Sequence, residues 1–174
     1  MPLYDEAGIA SVMFVSTLDL TGEVAVDRLT GDGEFIARAA IGYDDVEGTT
    51  YSAFVALSPL TGYADIPGYE LVFNITAADA GGDVMAYWDG ADTQHLLIEP
   101  YLRAEVRSLI CTLVDMLIDD VEPPLVSMVT QVAHLPPAAL TKYHQICAIF
   151  AGKGYRAGKS NSWNGQHTWM MERA

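Results

Sequence analysis

The sequence is poor in cysteine, poor in basic residues, and without any long uncharged apolar run. Its two cysteines, Cys111 and Cys147, each fall in a segment of helical periodicity, on or beside the apolar stripe. They read as reduced, buried thiols of a cytoplasmic protein and not as a disulfide framework. A single bridge stays open if the two helices pack together. Nine Lys/Arg face 23 Asp/Glu, a formal net charge of −14. On that balance, general binding to nucleic acid or to an anionic membrane is not expected. No run of about 18 residues is free of charge or strong polarity, so no membrane-spanning helix is expected. The opening MPLYDEAG has acidic residues where a secretory leader needs a basic start and an apolar core. There is no HExxH and no CxxC, so a zinc site has no sequence support. Nor is there a GxSxG nucleophile elbow.

What is present is apolar material in periodic order. Hydrophobic residues make up 51% of the chain, enough for a single domain over residues 1–174 to bury a full core. The longest periodic stretch, Ile98–Asp120, organises the rest. Leu102, Val106, Leu109, Ile110, Leu113 and Leu117 recur at spacings of three and four, lining one face of an α-helix. Pro100 suits its first turn, and Val121-Glu122-Pro123-Pro124 must end it. A second helix, Ala138–Ala151, opens after Pro136-Pro137, carries Leu140, Tyr143, Cys147 and Phe150 on its stripe, and stops at Gly152.

The remaining segments read as strands bounded by turn residues. They are residues 9–20, Glu23–Leu29, Glu34–Tyr43, Thr49–Leu60, Tyr69–Thr76, Asp83–Trp88, Gln94–Ile98, Leu125–Ala133, Tyr155–Ser162 and Gln166–Arg173. Three hairpins are expected: about the acidic turn at 44–48, across Ala80-Gly81-Gly82, and about Asn164-Gly165. The FIARAAI run within Glu34–Tyr43 also has helical composition, so a short helix is the alternative there. This order predicts an α+β fold, a largely antiparallel sheet with two main helices, about 100–120 and 137–151, packed on one face.

Charge is unevenly spread. Residues 1–141 carry 22 Asp/Glu against four Lys/Arg, whereas residues 142–174 carry five Lys/Arg against Glu172 alone. Either the basic tail pairs with the acidic body or it forms a local anion site. The acidic residues Asp119, Asp120 and Glu122 crowd a helix C-terminus, where the dipole disfavours them. Gly154-Tyr155-Arg156-Ala157-Gly158-Lys159-Ser160 is a near miss to a phosphate-binding loop. Three residues separate Gly154 from Gly158 where the loop needs four, and the required strand-loop-helix context is absent. His144 and Cys147 lie three apart on one helix, a spacing that suits packing better than a facing nucleophile and base. Asp44, Asp45, Asp79, Asp83, Asp89 and Asp92 fall mostly in turns, where Asp bonds the backbone.

The best candidate for a functional surface is the C-terminal hairpin. Lys159, Asn161, Trp163, Asn164 and His167 set hydrogen-bonding groups and an aromatic beside positive charge. Trp163 and Trp169 are of the kind that anchor interfaces. The plainer reading sinks Trp169 and Met171 into the core and leaves a polar turn. On the functional reading the protein is a non-catalytic module without a cofactor, binding a protein partner or a small anionic ligand through this hairpin.

From Gln94 onward the order strand, helix, strand, helix, hairpin resembles the C-terminal half of GNAT-type acyltransferases. IEPYLRAEVRSL (98–109), with Pro100 and Arg103, looks like that family's entry into its central helix, and Ala138–Tyr155 is similar to the helix that follows. The resemblance implies acyl-CoA as cofactor, with Arg103, Ala104, Arg107 and the N–H groups of Ala104–Arg107 as the pyrophosphate candidates. Val106 and Ser108 stand where the family's loop carries glycine. The alternative function is thus a divergent acyl-CoA-dependent acyltransferase, or an inactive relative of one.

Overall fold

The computed structural model describes residues 14–60, 67–88, 92–131, 140–160 and 165–174. Its nine strands are β1 (Phe14–Ser16), β2 (Asp27–Gly31), β3 (Glu34–Asp44), β4 (Thr50–Pro59), β5 (Gly68–Ala78), β6 (Val84–Trp88), β7 (Leu125–Gln131), β8 (Tyr155–Lys159) and β9 (Gln166–Arg173). The helices are α1 (Thr93–Leu96), α2 (Pro100–Val121) and α3 (Leu140–Gly152). The strands form one sheet in the order β1-β3-β4-β5-β7-β9-β8, with β2 also beside β3 and β6 also beside β5. All pairs are antiparallel except β5 with β7. The fold is α+β, as the element order predicts; β3–β4, β5–β6 and β8–β9 pair antiparallel as the three expected hairpins require, with the Asn164 turn itself outside the described residues.

The lone parallel pair explains the placement of α2. Parallel neighbours need a long crossover, and here the chain leaves β5, turns back through β6 and α1, and returns along α2 to begin β7. Alternation along the strands then sets the core. Tyr51, Ala53, Val55 and Leu57 of β4 are all buried, every second residue of the strand. Against them α2 buries Leu102, Val106, Leu109, Ile110, Leu113 and Leu117, the six of the sequence pattern, together with Val114 and Ile118. Cross-strand register carries the same face across the sheet: Ala37 lies opposite Val55, and Val55 opposite Phe73. Phe73 and Trp169 both touch Tyr143 of α3, so both long helices cover one face.

One reading left open is settled, and others change. Glu34–Tyr43 is a strand and not a helix, because it is paired on both sides, by β2 and by β4. Residues 94–98 are not a strand; Leu97 N–H bonds Thr93 O at 2.8 Å and closes the single turn α1. The edge of β5 that such a strand would need is already taken by β6 and β7. Helix α3 runs through Gly152, and the chain turns at Gly154, which has φ 91°. Cys111 and Cys147 are free and only half-buried, since both sit on the flanks of their stripes; on α3 the fully buried residues are Ile146 and Phe150.

One close approach is testable. Gly42 lies opposite Ser16, and a Cβ there would collide with Val15 O and the Phe14 ring. Phe14 in turn packs edge-on against Tyr51, centroids 5.6 Å apart. Gly42→Ala should displace β1 and cost about 1–3 kcal/mol in urea unfolding. A loss indistinguishable from zero would mean that β1 contributes nothing to stability.

Candidate functional site

The stems of the C-terminal hairpin are ordinary antiparallel ladder, with Lys159 opposite Trp169. Ser160 fastens their upper end. Its N–H donates to Thr168 O at 2.8 Å, its hydroxyl accepts from Thr168 N–H at 2.9 Å, and its carbonyl lies 2.9 Å from His167 Nδ1. Asn161, Trp163 and Asn164 lie outside the described residues. Trp169 is not an interface anchor. At 2% exposure it belongs to the core with Met171, as period-two alternation along β9 requires, and its indole N–H donates to Thr130 Oγ1 at 3.1 Å.

Around Trp169 the structure gathers groups from four elements. Tyr143 stacks on it with centroids 5.8 Å apart, His144 meets it edge-on at 5.2 Å, and the Lys159 ammonium sits 5.4 Å from the ring centre. Tyr143 also contacts Phe73 at 5.6 Å. The Lys142 ammonium lies 4.7 Å from the Phe73 centroid and 5.3 Å from that of Tyr143. Each such cation–ring contact contributes about 0.5–1 kcal/mol at an exposed site. The aromatic row Phe73–Tyr143–Trp169 spans the place where the sheet divides. β5 and β7 pair only over Gly68–Glu70 and Leu125–Ser127, after which the same edge of β5 turns to β6 at Ile75–Ala78. Of this row the sequence pattern marks Tyr143 only as a core residue and Phe73 not at all; the run Lys142-Tyr143-His144 is the one local signal.

The charge asymmetry resolves into two groups. Lys153 reaches Asp115 at 3.1 Å and Asp119 at 2.6 Å, and its hydrogen bond to Asp119 raises its pKa. Arg28 meets Asp120 at 3.2 Å, Arg173 meets Glu122 at 3.7 Å, Arg156 meets Glu172 at 3.5 Å and Arg38 meets Asp27 at 3.2 Å. The acidic end of α2 is therefore neutralised by the C-terminal segment and by Arg28. The remaining cations behave differently. Arg103 donates from Nη1 to Leu97 O at 2.7 Å and to Ile98 O at 2.9 Å. Among the described residues, Arg103, Arg107 and Lys159 have no carboxylate within ion-pair distance. These three and Lys142 belong to the end of the molecule where β5, β7 and β8 finish and where α2 and α3 start.

The nucleophile candidates are quiet. Burial raises the Cys147 thiol, and His144 is turned onto Trp169, so these two do not form a nucleophile–base pair. Burial likewise raises Cys111, although Arg107 and Lys142 pull it back. At the start of α2, Glu99 O accepts from Leu102 N–H at 3.0 Å and Arg103 N–H at 3.4 Å. Ala104–Arg107 lie inside the helix, where their N–H groups belong to its own ladder. Tyr155–Lys159 is a strand, which removes the phosphate-loop likeness. Among the described residues no group of three or more His, Cys, Asp or Glu is placed to hold a metal ion, and no helix is long and apolar enough to cross a membrane. Compared with known proteins, the chain matches no family model, no curated protein and no solved structure.

Proposed function

We propose that the protein is a non-catalytic binding module that holds an anionic group, carried by a protein partner or a small molecule, at the end of the sheet shared by the C-terminal hairpin and the starts of α2 and α3. One observation carries this reading. In a chain of net charge −14, the cations at the opposite end are spent on carboxylates, while Arg103, Arg107 and Lys159 meet none among the described residues. The aromatic row beneath Lys159 gives the site a fixed floor. Inorganic pyrophosphate is a suitable first probe. It should raise Tm, by the equivalent of about 2.7 kcal/mol at 100 times its dissociation constant. The shift should vanish in Arg107→Ala/Lys159→Ala and shrink with added salt. No shift at millimolar pyrophosphate would sink the reading.

A second reading, a GNAT-like acyl-CoA-dependent acyltransferase or an inactive relative, draws support from the short parallel seam between β5 and β7, reached through α2 and followed by a helix and a hairpin. The two readings part in the same experiment. A larger shift with acetyl-CoA or CoA than with pyrophosphate, lost in Arg103→Ala, favours the acyl-CoA reading. Equal shifts favour a simple anion site.

A further inference from the structure

A groove lies along the middle of α2. The segment from Leu20 to Arg28 passes along one flank of α2, and the two enclose a groove of about 550 Å³, within the range of small-molecule sites. Its floor is apolar: Val24, Leu109 and Met116 line it, and Leu109 is 1% exposed. Ser108 and Thr112, one turn apart with Met116 on the same row of α2, add two hydroxyls. Thr112 Oγ1 gives its proton to Ser108 O at 3.1 Å, so it meets a ligand with lone pairs only.

The charges decide what kind of ligand fits. Arg28, the one cation of the lining, is held by Asp120 at 3.2 Å. Glu23 has no ion-pair partner among the described residues. Among the described residues the groove is therefore left with one uncompensated negative charge, in a protein whose net charge of −14 concentrates cations near its surface. We infer that it binds a small amphipathic amine, with the apolar chain on Val24, Leu109 and Met116 and the ammonium group at Glu23. This site shares no residue with the anion site proposed above and stands or falls separately.

Calorimetric titration with octylamine tests it, with octanoate and octanol as controls. Octylamine should bind saturably and more tightly than octanol, and octanoate should be weakest. Ser108→Phe, at an exposed helix position, should abolish binding by filling the groove, with the fold checked by circular dichroism. Glu23→Gln should weaken octylamine by about threefold, the scale of an exposed ion pair, and leave octanol unchanged. Absence of saturable binding, unchanged binding in Ser108→Phe, or octanoate binding as well as octylamine would each overturn the inference.

Discussion

Truncating Trp169 to alanine is expected to remove about 3–5 kcal/mol of stability. The indole is 2% exposed, so its loss forfeits both transfer free energy and packing, and the cavity cannot collapse easily between β9, β7 and α3. Tyr143 and His144 lose their common ring partner, and Thr130, itself 1% exposed, is left with a buried hydroxyl that no longer receives the indole N–H. Urea unfolding monitored by far-UV dichroism measures the loss. Trp169→Phe keeps a ring and should cost clearly less. If Trp169→Ala costs under about 1 kcal/mol, the aromatic row is not a rigid floor, and the anion site built on it loses its support.

Leu113→Ala is expected to cost about 2–5 kcal/mol. Leu113 is 0% exposed and lies in the middle of the buried face of α2, between Leu109 and Leu117 of the same stripe. Alanine has the higher helix propensity, so any loss is a packing loss. Thr112→Ala one residue earlier is the control: it is exposed and should change stability by no more than about 0.5 kcal/mol. Equal effects at the two positions would contradict the orientation of α2.

Leu113 was readable from sequence because a 22-residue helix repeats its apolar signal over six turns. The hairpins were readable because Gly81 and Gly82, Gly165, and the acidic 44–48 turn mark where the chain must reverse. Gln94–Ile98 was not, since a five-residue run has no period to separate strand from a single helical turn, and only the occupied edge of β5 decides it. Trp169 was legible in two ways, as an interface anchor or as a core residue with Met171, and burial decides for the core. Lys159 and His167 belong to the hairpin as the sequence suggests. Phe73 and Lys142 join them through contacts between distant elements, and such contacts leave no mark on local pattern. The same holds for the sorting of cations, because Lys153 finds Asp119 only after α3 has docked on α2.

The short seam between β5 and β7 also orders the assembly of the molecule. On one side, β3, β4, β5 and β6 close through successive hairpins; on the other, β8 and β9 do the same. These are local closures with a small entropic cost. The seam offers only Gly68–Glu70 against Leu125–Ser127, and it brings together segments separated by β6, α1 and α2. It cannot be held before α2 has found the sheet. Of all the pairings in the sheet it is the one expected to form late in folding, with α2 acting as the hinge pin that brings two separately made halves into register.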